Sequence, residues 1–204
     1  QIIIGSGAEY LYGLIIAMLG RQHIYGIESP SYKKIEQVYR AADVKYELLP
    51  LSHDGIDSTA LARTRASVIH TTPYRSFPTG ITASANKRHE YIRWSSKKRR
   101  IIIEDDFESE FSVSPKPKET LYSLSDYDNV IYMNTFSKTI SPALRVGYMV
   151  LPKRLVNDFE SKLGFYSCTV PTFEQFVLAQ LINSGDFERH INRVRRSLRK
   201  RLYT

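Results

Sequence analysis

The chain has 204 residues, 42% of them hydrophobic, and Lys plus Arg exceed Asp plus Glu by 29 to 21, a formal net charge of +8. That length can bury one sizeable core, while no apolar stretch approaches the roughly 18 residues that cross a bilayer and residues 1–20 lack a basic start followed by a signal-type apolar stretch. The single Cys168 excludes an internal disulfide and a multi-cysteine metal site, so a soluble, cytoplasmic protein with no membrane partner is expected.

Periodicity and turn signals predict alternating elements. A helix over Ala8–Leu19 is followed by a short strand near His23–Ile27, a helix over Tyr32–Ala42 and a strand over Lys45–Leu49. Next come a short helix near Ser58–Thr64, a strand over Ser67–Thr71, a helix over Ala85–Ser96 and a strand over Ile101–Glu104. Apolar runs at Val130–Met133 and Val146–Leu151 predict two more strands, and helices follow near Pro152–Leu163, Phe173–Asn183 and Phe187–Tyr203. Strands such as "SVIHT" and "RIIIE" are unbroken apolar runs, as expected where helices cover both sheet faces. The expected fold is therefore α/β, a three-layer sandwich with a mostly parallel sheet covered by helices. "SVSPKPKET", Ser112–Thr120, is the most linker-like stretch.

The positive charge is concentrated in two places. Lys97, Lys98, Arg99 and Arg100 close a predicted helix, where cations suit the negative end of its dipole. Arg193, Arg195, Arg196, Arg199, Lys200 and Arg201 decorate the last helix, which is still running at Thr204 and suggests a piece of something longer. A basic module touching nucleic acid through Arg193–Arg201 would bind it in a salt-sensitive, sequence-independent way.

In parallel sheets, ligands sit beyond the carboxyl ends of the strands. "GSGAEYL", Gly5–Leu11, puts two glycines and a serine ahead of a helix, which suits either a phosphate seat or an ordinary turn. "IIIEDDFESEF", Ile101–Phe111, ends a buried strand in Glu104, Asp105 and Asp106. Three carboxylates there demand a cation, a metal or an exposed surface. No further ligand cluster supports a metal, whereas a protonated ring nitrogen would satisfy a carboxylate. "NTFSKTISPALRVGYMVLP", Asn134–Pro152, places Lys138 in a loop between two strands. It is either a solvated loop lysine, the usual case, or an amine able to form an imine.

Taken together, "GSGAEYL", "ESPSY", "FPTG", "EDDFESEF" and "TFSKTISPALRVGYMVLP" resemble, in this order, the large domain of fold-type I pyridoxal-phosphate enzymes. Within that group the chain is most similar to the aminotransferase-like domain of MocR/GabR-type regulators of the GntR family. The resemblance covers essentially all 204 residues. It implies that pyridoxal 5'-phosphate is the cofactor and that Lys138 forms the internal aldimine with its aldehyde. Asp105 would pair with the ring nitrogen, and Tyr32 would stack on the ring or, in the structural alternative, pack in the core. Ser6, Gly7 and Ala8, with Thr135 and Arg145, would hold the phosphate.

Two positions depart from the family pattern. Phe107 stands where most relatives have a tyrosine facing the cofactor's phenolic oxygen, and Phe77 stands where aminotransferases commonly have an asparagine. Losing both donors weakens the expectation of transaminase activity, because such rates depend on preorganised polar groups. By the same resemblance, residues 1–185 form the large domain and 186–204 begin the helix leading to a C-terminal small domain. An N-terminal winged helix-turn-helix is expected upstream, so DNA would be contacted only through that domain. The implied function is an effector-sensing domain of a transcription regulator, responding to an amine or to pyridoxal phosphate itself and forming a homodimer. The alternative is a fragment of an active aminotransferase acting on amino acids.

Overall fold

The computed structural model describes residues 1–97, 100–107, 109–111 and 119–202. Lys98, Arg99, Glu108 and most of the linker-like stretch, residues 112–118, lie outside the described residues, as do Tyr203, the last position of the final predicted helix, and Thr204.

The element order is β1 (Ile2–Gly5), α1 (Ala8–Leu19), β2 (Ile24–Ser29), α2 (Lys33–Ala41), β3 (Lys45–Ser52), β4 (Gly55–Ile56), α3 (Ser58–Arg63) and β5 (Val68–Thr71). Then follow α4 (Ala85–Ser96), β6 (Ile101–Asp105), a 3₁₀ turn over Ser109–Phe111, α5 (Leu121–Leu124) and β7 (Val130–Thr135). The chain continues through β8 (Gly147–Val150), α6 (Lys153–Leu163), α7 (Thr172–Asn183) and α8 (Asp186–Leu202). Among the described residues no helix is long and apolar enough to cross a membrane.

The strands form one sheet in the order β1-β8-β7-β6-β5-β2-β3-β4. Strands β7, β6, β5, β2 and β3 run parallel, whereas β8 is antiparallel to both β7 and β1, and β4 folds back on β3. The α/β sandwich with a mostly parallel sheet is thus the observed fold. Side-chain alternation along β6 divides its layers. Ile101 and Ile103 join one core with α1, α2 and α6, while Ile102 joins the other with α3, α4 and α5. Each fully buried isoleucine contributes about 2 kcal/mol, so a polar residue anywhere in that run would cost one layer its packing.

Local chemistry explains the helix bounds. Ser84 caps α4 by accepting from Lys87 N, replacing an orphan bond of the first turn. In α1 the buried set includes Leu11, Tyr12, Leu14, Ile15, Ile16, Met18 and Leu19, apolar on most sides because sheet, α2 and α6 surround it. At the end of α4, Arg100 lies 4.5 Å from the Trp94 ring centroid, so part of the first basic cluster covers an aromatic face.

Candidate functional site

Strand β7 ends at Thr135, which is paired with Gly147 of β8, and Phe136 N–H extends the ladder to Val146 O. The loop between carries Lys138. Its apolar residues Phe136, Ile140 and Leu144 pack against buried Val146, Val170 and Leu178, which anchors the loop on α7. Lys138 itself is exposed, with Nζ 5.4 Å from the centre of the Phe107 ring.

A second group forms where β1 meets α1. Gly5 and Gly147 are antiparallel partners. Two residues forward from one and two residues back from the other therefore lie side by side, which joins Gly7 to Arg145. Gly7 has φ 90° and ψ 177°, and a Cβ there would sit 2.5 Å from Arg145 Nη2. Only glycine fits both the backbone and the approach. The guanidinium donates to Glu9 Oε2 at 2.9 Å and lies 3.5 Å from Ser137 Oγ, next to Lys138. Glu9 also accepts from Lys34 at 2.8 Å, the main cause of its carboxyl lying below the usual range. Ser6 is engaged by Thr169, its N–H donating to Oγ1 at 3.1 Å and its hydroxyl to the same oxygen at 2.7 Å. Ala8 opens α1, where free backbone N–H groups meet the positive end of the helix dipole.

The three acids at the carboxyl end of β6 correct the sequence-based expectation that they need a cation, metal or exposed surface. All three are buried, and hydrogen-bond donors of the chain itself meet them. Glu104 accepts from Tyr74 Oη at 2.6 Å and from the N–H groups of Leu121 and Tyr122 at 2.7 and 2.9 Å. Burial nevertheless raises its carboxyl to about 7. Asp106 accepts from Tyr132 Oη and Ser109 Oγ, both at 2.7 Å, and burial raises it too. Asp105 accepts from Tyr12 Oη at 2.5 Å, and His70 Nε2 lies 3.4 Å from the same oxygen, Oδ2. Among the described residues no group of three or more His, Cys, Asp or Glu side chains is placed to hold a metal ion.

Tyr32 is 40% exposed at the N-terminus of α2, so it is not a core aromatic. Its ring meets Phe77 edge-on at 5.9 Å, bringing together the "SPSY" and "FPTG" motifs. Helix α8 is tied to the lysine loop through His190 Nε2 and Thr139 O at 2.9 Å, and Arg195 Nε donates to Glu110 O at 2.5 Å. Arg189, Arg193, Arg196, Ser197 and Lys200 line an open groove of about 500 Å³.

Sequence reasoning passed over Glu9, Tyr12, Tyr39 and His70. A histidine inside the apolar run "SVIHT" and an acid in a candidate anion seat were the available signals. The structure brings together the N-terminus of α1 beside the Arg145 guanidinium, a buried carboxylate and an exposed lysine, linked by the contacts Gly7–Arg145–Ser137 and Lys138–Phe107.

Known proteins are similar to this chain in sequence and in structure. YdeL, an HTH-type transcriptional regulator of Bacillus subtilis, is 31% identical over 98% of this chain and 43% of its own length. MocR of Rhizobium meliloti, a probable rhizopine catabolism regulatory protein, is 30% identical over 96% of this chain and 40% of its own. The chain thus spans less than half the length of these regulators. Among solved structures, the Pyrococcus horikoshii kynurenine aminotransferase, in complex with PMP, superposes with a TM-score of 0.85 at 27% identity, covering 96% of this chain and 51% of that one. The LysN α-aminoadipate aminotransferase of Thermus thermophilus, complexed with N-(5'-phosphopyridoxyl)-L-leucine, gives 0.84 at 27% identity over 96% and 52%. The model of the family described as aminotransferase class I and II matches residues 1–203, and the chain belongs to that family.

Proposed function

We propose that this chain is the pyridoxal-phosphate-binding, effector-sensing unit of a MocR/GabR-like regulator. The contact of Lys138 with Phe107, two residues beyond buried Asp105, carries the reading. The fit to the cofactor rests on three features. The Gly7 cradle, which a Cβ would fill, and the Arg145 fork suit a phosphate. Asp105 suits a cationic ring nitrogen, and Lys138 is an accessible amine. When bound, the cofactor supplies an aldehyde that condenses with amines and a ring that withdraws electrons. In this reading Ser6, Gly7, Ala8, Thr135 and Arg145 orient the phosphate end, Asp105 holds a proton at the ring nitrogen, Tyr32 covers a ring face, and Phe107 packs beside the lysine.

A sensing role is supported by two further observations. Phe107 and Phe77 add no hydrogen-bond donor, which disfavours an efficient transaminase. The His190 bond to Thr139 O gives α8 a direct hold on the residue after Lys138, so a change at the lysine is felt by the helix. An amine effector, a homodimeric parent and DNA contact through a separate domain complete the proposal, in line with the HTH regulators among the relatives.

The test uses the full-length protein with pyridoxal phosphate. A visible absorption band should develop, and borohydride should fix the cofactor on Lys138 in a peptide map. Label on another lysine, with Lys138→Ala still coloured, overturns the assignment.

A further inference from the structure

Behind Asp105 lies a block of buried polar side chains for which the proposed cofactor chemistry has no role. Tyr12 of α1, Tyr39 of α2 and His70 of β5 are 3%, 1% and 2% exposed. Tyr39 Oη is 3.1 Å from His70 Nδ1, His70 Nε2 is 3.4 Å from Asp105 Oδ2, and Tyr12 Oη donates to that same Oδ2 at 2.5 Å. Tyr12 also sets its ring edge-on to the imidazole at 4.9 Å, and Tyr39 does so at 5.9 Å. The imidazole is clamped between two phenols, so its orientation is determined by packing as well as by hydrogen bonds.

The donor roles follow. Both tyrosines remain O–H groups, because burial pushes Tyr12 and Tyr39 well above the usual phenol range. A carboxylate facing His70 Nε2 requires a hydrogen on that nitrogen. In the neutral ring Nδ1 is then a lone pair, which accepts from Tyr39. The chain of donation runs Tyr39 to His70 to Asp105, with Tyr12 as a second, shorter donor.

We infer that Tyr12 and His70 are positioning residues that keep Asp105 negatively charged and keep the proton it shares with a bound pyridine on the pyridine nitrogen. Both contacts fall on Oδ2, which leaves Oδ1 as the oxygen for the ligand. Each donor stabilises the carboxylate over the carboxylic acid. Without them a carboxylate buried at this place would draw the shared proton onto itself. The ring would then be neutral and a poorer electron sink. Tyr12 is the stronger contributor, its bond being short and charge-assisted while the imidazole contact is near the limit of hydrogen-bond length. Helix α1 would then serve both ends of one ligand, with its N-terminus at the phosphate and Tyr12, just over one turn on, behind the ring nitrogen.

This inference rests on the assignment of Asp105 to the ring nitrogen, and the experiment separates the two. Pyridoxal phosphate labelled with ¹⁵N in the ring is bound to the full-length protein, and the ring-nitrogen shift is read by NMR. The wild type should show a protonated nitrogen, and Asp105→Asn should move the signal to the neutral-pyridine value. Tyr12→Phe, which removes one oxygen and little volume, should move it part of the way, and Tyr12→Phe with His70→Gln further. A signal that responds to Asp105→Asn but not to either of these variants overturns the inference alone. A signal indifferent to Asp105→Asn overturns the cofactor assignment and the inference with it. A second measurement needs no cofactor. Long-range ¹H–¹⁵N spectra should find His70 as the Nε2–H tautomer, in Tyr39→Phe as in the wild type, because the carboxylate at Nε2 is still in place. An Nδ1–H tautomer in the wild type also overturns the inference.

Discussion

Arg145 donates to the Glu9 carboxylate at 2.9 Å, beside the Gly7 backbone that its guanidinium covers. A phosphate held there, as proposed, would compete with a carboxylate already built into the first turn of α1. Both partners are substantially exposed, 50% and 33% by side chain, and such pairs contribute about 0–1 kcal/mol. Glu9→Gln is expected to tighten pyridoxal phosphate binding by roughly two- to fivefold. Spectral titration measures it, and pyridoxal without the phosphate should bind both proteins equally. Equal affinities for pyridoxal phosphate would mean that Glu9 yields the guanidinium at no cost.

Gly7→Ala tests the seat from the other side. A side chain at φ 90° and ψ 177° is strained by about 1–3 kcal/mol, and its Cβ would displace the Arg145 guanidinium. Chemical denaturation should show a loss of that size, and cofactor titration a weaker complex. Unchanged stability would mean that the backbone there relaxes freely.

Glu104 gives a pH signature. Its carboxyl lies at about 7 in the fold, against 4.5 ordinarily. Between those values the folded chain keeps a proton that the unfolded chain has released, so stability falls as pH rises through that window. The difference is at most about 3 kcal/mol. Unfolding free energies from pH 4 to 8 should decline more steeply for the wild type than for Glu104→Gln. Parallel curves would show that the three hydrogen bonds to this carboxylate fully offset its burial.

Phe107→Tyr adds a hydroxyl near the Lys138 amine. In the cofactor-loaded protein a donor to the phenolic oxygen should move the spectroscopic titration midpoint to lower pH by about one unit, the scale of one hydrogen bond to a charged group. A pH series of visible spectra on both proteins measures it. No shift, or an upward one, would mean that residue 107 does not face that oxygen.

Local patterning made most of the fold legible. The bounds of α1 and α4 coincide with the predicted Ala8–Leu19 and Ala85–Ser96, because capping glycine and serine are local signals. Strand β1 was missed. Four residues of "IIIG" have no period of their own, and their partner β8 lies at the far end of the chain. The antiparallel direction of β8 was equally invisible, since a strand's pattern does not encode its sense. At the site, Lys138, Asp105 and the glycine turn were readable as motif residues. Tyr12 and His70 were not, because a tyrosine on an apolar helix and a histidine in an apolar strand read as packing until the fold brings them to one oxygen.

The pairing of Gly5 with Gly147 has a kinetic consequence. Contacts between positions so distant in sequence close late and slowly, and β1 sits at the outer edge of the sheet, paired with β8 alone among the strands. Fraying of that edge would part Gly7 from Arg145 while the inner parallel strands remained intact, a local opening well below the cost of global unfolding. A ligand that bridges the two would close this weak edge by mass action. Amide hydrogen exchange along Ile2–Gly5 should therefore slow on phosphate binding far more than exchange in β5 or β6.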